Sequence, residues 1–210
     1  RLIGERRRIS TYEIEEDTID YLTVEYSMRP ADAPLERFVD KAPFVPDRKE
    51  EREKRCEEIL MIQAMGLKKR MEHTHCKGAV IGISGGLDST LALLVTAKAA
   101  DMLGLDRNCI TAVTMPCFGT TDRTYTNACE LTRKLGATLK EVNIQEAVKK
   151  HFVDIGQDPD RHDVTYENCQ ARERTQVLMD LANQSGGMVV GTGDLSELAL
   201  GWATYNGDHM

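Results

Sequence analysis

No run of apolar residues in this chain approaches the ~20 that a membrane-spanning helix needs, so we expect no membrane association. Positive charge is also short. Lys and Arg total 27 against 34 Asp and Glu, a formal net charge of −7 over 210 residues. That balance argues against a broad nucleic-acid surface, and we expect no nucleic-acid partner. The six cysteines (Cys56, Cys76, Cys109, Cys117, Cys129 and Cys169) include no Cys-x-x-Cys pair, which suggests neither a zinc site nor a redox dithiol. We expect reduced thiols in a cytoplasmic protein. Three signatures are missing as well. No Gly-Lys-Ser/Thr ends a phosphate loop, no Gly-x-Gly-x-x-Gly has dinucleotide spacing, and no Gly-x-Ser-x-Gly elbow makes Ser196 a nucleophile.

What is present suffices for a packed core, with 41% hydrophobic and 29% charged residues. The length fits one ordinary domain plus extra material. Four of the six prolines (Pro30, Pro34, Pro43 and Pro46) crowd into one stretch, which reads as an extended connector over residues 29–46. Before it, the run Tyr21-Leu22-Thr23-Val24-Glu25-Tyr26 has strand composition. A lone strand is not stable, so residues 1–28 read as the tail of a preceding domain.

The organising stretch is residues 79–94. Ala79-Val80-Ile81-Gly82-Ile83 has the length and β-branched content of a buried strand. Ser84-Gly85-Gly86-Leu87-Asp88-Ser89 interrupts it. Residues 90–100 then carry Ala and Leu without Gly or Pro, as a helix does. A helix start has N–H groups without internal partners and partial positive charge, so this turn suits a phosphate. Gly85 and Gly86 would allow φ > 0 and close approach, and Ser84 and Ser89 add hydroxyl donors. Asp88 repels a phosphate by itself, which suggests a bridging Mg²⁺. Two adjacent glycines alone also fit a turn that binds nothing.

Elsewhere the chain alternates. Residues 47–73 form a mixed-charge helix, with Asp47 as a candidate cap and Cys56, Ile59, Leu60, Gln63, Leu67 and Met71 at helical spacing. His73, His75 and Cys76 read as surface residues rather than a metal site. Strands follow at 109–115, 138–144 and 188–191. Helices follow at 122–135, 145–152, 166–183 and 195–200, the last with Asp194 as its cap. Residues 156–163 read as a mobile polar loop. This alternation predicts an α/β fold, a doubly wound and mostly parallel sheet with helices on both faces. Ligands then sit at the carboxyl ends of the strands, where the loops 84–89, 115–121 and 192–197 converge.

The string SGGLDS resembles the pyrophosphate loop of the ATP-pyrophosphatase superfamily, whose fold is adenine nucleotide alpha hydrolase-like. Two later stretches resemble one of its families, the NAD synthetases of the glutamine-dependent type. They are Glu167-Asn168-Cys169-Gln170-Ala171-Arg172-Glu173-Arg174 and the run from Gly191 to Tyr205. The resemblance covers residues 46–210. It implies ATP-dependent amidation of deamido-NAD through an adenylated carboxylate, with ammonia from glutamine or free ammonia.

By that resemblance ATP is held by Gly82, Ile83, Ser84, Gly85, Gly86, Leu87, Asp88, Ser89 and Thr192, with Asp88 and Ser84 at the chemistry. Deamido-NAD falls to Asn168, Arg172, Glu197, Trp202, Ala203, Thr204 and Tyr205. Mg²⁺ falls to Asp88, with Glu197 serving either the metal or the dinucleotide. On pattern alone, Arg172 between Glu167 and Glu173 equally fits a surface ion pair. Trp202 and Tyr205 fit core anchors, and Glu197 fits a helix-dipole partner. Cys117 reads as unreactive packing.

The resemblance further implies a homo-oligomer and a nitrilase-like glutaminase domain whose Glu, Lys and Cys set is not found here. We therefore expect a fragment of a longer chain. Residues 1–28 are the remnant of that preceding domain, 29–46 the linker, and 47–210 a C-terminally incomplete synthetase domain. The alternatives are another adenylating enzyme of the superfamily, such as a GMP synthetase or a tRNA-modifying enzyme, or a non-catalytic ATP-sensing module.

Overall fold

In the computed structural model the apolar run after Gly78 becomes strand β1, Ala79–Gly82. Residues 22–27, 32, 36–38, 41–42, 44–118 and 122–201 are described. Parallel partners flank β1 on both sides. Ala79 lies opposite Ile110 of β2 (Ile110–Thr114) and opposite Met188 of β4 (Met188–Val190). β3 (Thr138–Glu141) pairs with β2, so the sheet order is β3-β2-β1-β4. Successive strands build outward on one side of β1, and β4 joins on the other. The strand order therefore reverses beside β1, which is where an open parallel sheet leaves a crevice.

Helices cover both faces. Side chains alternate along a strand, so Val80 joins one core and Ile81 the other. The first core adds Val113, Ile144, Val148, Phe152, Cys169, Leu178 and Ala182, from α4 (Gln145–Ile155), α5 (Val164–Ser185) and the strands beside them. The second adds Leu93, Ala97, Ala100, Ala112 and Ala128, drawing on α2 (Leu87–Leu103) and α3 (Asp122–Leu135). Each fully buried Ile, Leu or Phe stabilises the fold by ~1.5–3 kcal/mol. α1 (Lys49–Thr74) packs on α2, and the short α6 (Leu195–Leu200) follows β4.

Several expectations shift. α2 starts at Leu87 rather than Thr90, which puts Asp88 and Ser89 in its first turn. α1 starts after Arg48, whose side chain makes no capping bond, so Asp47 is not its cap. The inward line of α1 is Leu60, Ala64, Leu67 and Met71, of which Ala64 and Met71 are buried and the two leucines half-buried; Cys56, Ile59 and Gln63 lie exposed. β3 ends at Glu141 because Ile144 begins the turn into α4, although the Val142 N–H still donates to the Thr114 carbonyl (3.0 Å). Residues 156–163 are braced internally. The Gln157 amide donates to the carbonyls of Asp158 (3.2 Å) and Arg161 (3.0 Å) and to the Asp163 carboxylate (3.3 Å).

The chain divides into two compact units, Arg1–Pro43 and Phe44–Met210. In the first, residues 22–27 form no strand and expose Leu22, Val24 and Tyr26. A strand needs a ladder partner, and none stands beside them among the described residues. No helix among the described residues is long and apolar enough to cross a membrane, and none of the six cysteines is joined in a disulfide.

Candidate active site

The turn after β1 is built around one buried hydroxyl. Ser89 is 4% exposed. Its Oγ accepts from the Ser84 N–H (3.3 Å), donates to the Gly86 carbonyl (3.2 Å) and meets Ser84 Oγ (3.2 Å). Ser84 Oγ in turn accepts from the Gly86 N–H (3.2 Å). These bonds tie the turn to the first turn of α2 and leave the helix start itself open. Gly86 occupies the N-cap position, and no side chain caps the amides that follow.

Only the first glycine of the pair takes positive φ, at 82°, and a neighbour also bars a side chain there. A Cβ on Gly85 would stand 2.1 Å from the Thr124 carbonyl oxygen, so the turn is braced against the start of α3. Gly86 sits at φ −82°, ψ 174°, an extended conformation open to any residue, so the expectation of φ > 0 there does not hold.

Above this turn lies a cavity of about 710 Å³, within the range of small-molecule sites. Gly82, Ile83, Ser84, Gly86 and Ser89 contribute from the β1 turn, Thr114, Met115 and Phe118 from the end of β2, and Val190 and Thr192 from the end of β4. Thr124 and Tyr125 of α3 and His162 add to the lining, and one face of α5 supplies Tyr166, Glu167, Gln170, Ala171, Arg174, Thr175 and Leu178. These positions repeat at three and four residues, one stripe of a helix. Tyr166 stacks with His162 (ring centroids 4.2 Å apart) and lies 5.7 Å from the ring of Phe118, giving the cavity an aromatic side.

Six of the expected ATP residues therefore line the cavity: Gly82, Ile83, Ser84, Gly86, Ser89 and Thr192. Gly85 braces α3 instead, and Leu87 and Asp88 are exposed in the first turn of α2. Of the expected dinucleotide residues, Asn168 is buried in α5 and Arg172 is exposed, and neither lines the cavity. Trp202, Ala203, Thr204 and Tyr205 lie outside the described residues. Glu197 closes a capping box on α6. Its carboxylate accepts from the Asp194 N–H (3.1 Å), and Asp194 accepts from the Glu197 N–H (2.7 Å), so Asp194 is the expected cap.

Arg174 was missed by motif reading. Continuing the three-and-four spacing from Gln170 picks out Arg174, whereas Arg172 sits about 200° around the helix from Gln170. Arg174 is the only Lys or Arg among the residues lining the cavity. The other charged neighbour is Glu167. Burial pushes the Cys117 thiol upward, opposed by the Phe118 N–H and by Arg174, which leaves it a neutral packing group. Tyr125 donates to the Glu141 carboxylate, and that bond, with a smaller one to Cys129, pushes its phenol up to about 12. It remains a donor at neutral pH.

Among the described residues no group of three or more His, Cys, Asp or Glu is gathered to hold a metal. Mg²⁺ is commonly held by one or two carboxylates plus substrate phosphates, and an exposed Asp88 at an open helix start fits that donor set.

A parallel sheet with helices on both faces, and an open Ser-Gly-Gly-Leu-Asp-Ser turn at its crevice, defines an α/β nucleotide-binding fold of the adenine nucleotide alpha hydrolase type. The chain belongs to the NAD synthase family, whose model matches residues 59–210. It is 48% identical over 181 residues to the glutamine-dependent NAD(+) synthetase of Mycobacterium leprae, covering 84% of this chain and 27% of that one. It is 36% identical over 147 residues to the NH(3)-dependent NAD(+) synthetase of Staphylothermus marinus, covering 68% of this chain and 50% of that one. Among solved structures, the glutamine-dependent NAD+ synthetase of Acinetobacter baumannii in complex with ADP superposes with a TM-score of 0.66 at 32% identity. That match covers 72% of this chain and 28% of the other. The chain thus spans about a quarter to a third of the length of the mycobacterial relatives it matches.

Proposed function

We propose that this chain supplies the synthetase site of an NAD synthetase. In this reading the deamido-NAD carboxylate attacks the α-phosphorus of ATP and expels pyrophosphate to give an adenylated carboxylate, ammonia then displaces AMP, and NAD leaves. The observation that carries the reading is the cavity of about 710 Å³ standing over an uncapped helix start, in a chain of this family. That the Acinetobacter relative was solved in complex with ADP supports an adenine nucleotide as the ligand class.

The chemistry suits such a site. A carboxylate resists ammonia because oxide is a poor leaving group, whereas the mixed anhydride with AMP releases a good one. No protein nucleophile is required, so the protein's work is positioning and charge stabilisation. The amides of Leu87, Asp88 and Ser89 point out of the helix start and donate to phosphate oxygens, while the Ser84 and Ser89 hydroxyls hold the turn that presents them. Thr192, on the opposite lip, contacts ATP. Mg²⁺, when bound, would neutralise phosphate charge beside Asp88, with Glu197 as a second candidate ligand.

Asn168, Arg172, Glu197 and the segment 202–205 serve deamido-NAD in this reading. Because Asn168 and Arg172 do not line the nucleotide cavity, the dinucleotide approaches α5 from another side. A second copy of the chain and a glutaminase domain elsewhere in the full protein complete the partners we propose. Cytoplasmic location suits the unpaired thiols. We keep the division into 1–28, 29–46 and 47–210 as part of the same reading.

Nothing in the fold or the comparisons favours another adenylating enzyme or an ATP sensor. The test is pyrophosphate release by the full-length protein with ATP, Mg²⁺ and ammonium. Release that requires deamido-NAD is expected. Release driven by another carboxylate, or none with any acceptor, would sink the reading.

A further inference from the structure

We infer that Arg174, and not Arg172, is the cation that neutralises the nucleotide phosphates in this cavity. The inference rests on the reading of the cavity as an ATP site and names the residue that makes it select a triphosphate over a nucleoside.

Placement comes first. Leu178, one turn further along α5, sits where a Cβ on Gly82 would meet its Cδ1 at 3.0 Å, so that turn of the helix is level with the end of β1. Arg174 stands ~6 Å back along the helix axis, just past the strand end. That is the level of the turn Ser84 to Ser89. Arg174 and Ser84, Gly86 and Ser89 line the same cavity.

Charge comes second. The turn offers neutral donors only, its backbone amides, and Asp88 adds a negative charge beside it. A triphosphate brings several negative charges, and among the lining residues Arg174 is the only side chain with a permanent positive one. Among the described residues no Asp or Glu pairs with Arg174. Glu167 lines the same face seven residues earlier, ~10 Å along the helix axis, too far to neutralise it. A half-buried guanidinium without a counter-ion is a standing site for an anion, and its fork suits two phosphate oxygens.

Geometry also separates the two arginines. They lie two positions apart on one helix, so their side chains leave it about 200° apart. Arg174 lines the cavity and Arg172 is exposed away from it. The Ala-Arg-Glu-Arg string thus carries two cations for two different surfaces.

The test is calorimetric binding of ATP and of adenosine to the full-length protein, in EDTA so that no divalent metal contributes. Wild type is expected to prefer ATP, and Arg174→Met to lose roughly 10- to 100-fold in ATP affinity, the worth of a charge-assisted bond. Its adenosine affinity should stay within about twofold of wild type, on the expectation that Arg174 touches only the phosphates. Arg174→Lys should recover part of the loss. If Arg174→Met does not fold, Arg174→Gln reads the same difference. Unchanged ATP affinity, or equal loss of ATP and adenosine, overturns the assignment of Arg174. Wild type that binds neither ligand, in EDTA and again with Mg²⁺ restored, overturns the ATP-site reading itself, a distinguishable result.

Discussion

Two helices start at the same edge of the sheet and are finished in opposite ways. α6, after β4, seals its own beginning: the Asp194 carboxylate takes the Glu197 N–H, and the Glu197 carboxylate takes the Asp194 N–H. α2, after β1, begins at Gly86 with no side-chain cap, and its nearby hydroxyls are spent on holding the turn together. A capping residue stabilises a helix by ~1 kcal/mol, so an uncapped start over a cavity is a sacrifice of local stability. The amides left open are what a phosphate can use. The comparison separates a helix start closed by its own side chains from one left open over a cavity.

The hardest way to break that contrast is at Gly85. Gly85→Ala places a methyl carbon 2.1 Å from the Thr124 carbonyl oxygen at φ 82°. We expect a loss of at least about 3 kcal/mol by urea unfolding, since left-handed strain and a backbone clash combine. Gly201→Ala is the control beyond α6. Its φ is 66° with nothing within 4 Å of the added carbon, so strain alone should cost ~1–2 kcal/mol. Equal losses would mean that the brace against α3 does not matter.

Next in size, Asp88→Asn should cut Mg²⁺-dependent ATP cleavage roughly 100-fold while leaving the unfolding midpoint within ~0.5 kcal/mol of wild type, because the side chain is exposed. Retained cleavage counts against a metal role. Asp194→Ala should cost ~1 kcal/mol, read as faster hydrogen exchange at the Glu197 and Leu198 amides. Glu197→Gln keeps the capping box and hence the stability, because glutamine makes the same bond. If it also keeps full amidation, Glu197 serves α6 and neither the metal nor the dinucleotide.

The smallest effect concerns α5, whose start is also capped. Asp163 accepts from the Thr165 and Tyr166 amides at 3.0 and 3.2 Å. Those bonds, the Tyr166 one foremost, hold its carboxyl below the usual carboxylate range. The folded form thus prefers the ionised group. Its stabilisation is fully present above the ordinary value of ~3.9 and is lost as pH falls through the lowered folded value. Unfolding midpoints measured from pH 5 to pH 2 should show this loss, and Asp163→Asn should flatten that part of the curve.

Legibility in the sequence followed locality. α3 and α6 stand where pattern put them, at Asp122–Leu135 and Leu195–Leu200, and Asp194 caps as expected, because caps and amphipathic spacing act within a few residues. Boundaries set by neighbours were less visible. β3 stops at Glu141 where its only partner, β2, ends. The strand expected from Tyr21 to Tyr26 is absent over residues 22–27, which have no ladder partner among the described residues. At the site, the β1 turn and Thr192 were legible as motif, whereas Arg174 was not, since a string does not show which of two arginines faces inward.

From its residues alone this protein's alternating strands and helices, its parallel sheet and the location of the glycine turn before α2 were determined, because each depends on periodicity and short-range backbone chemistry. Only the tertiary structure decided that the Thr124 backbone leaves no room for a side chain at Gly85, that Glu197 is engaged on its own helix, and that Arg174 fronts the cavity while Arg172 does not. Those are facts of which helix face meets which strand end, and segments distant in the chain settle them by packing.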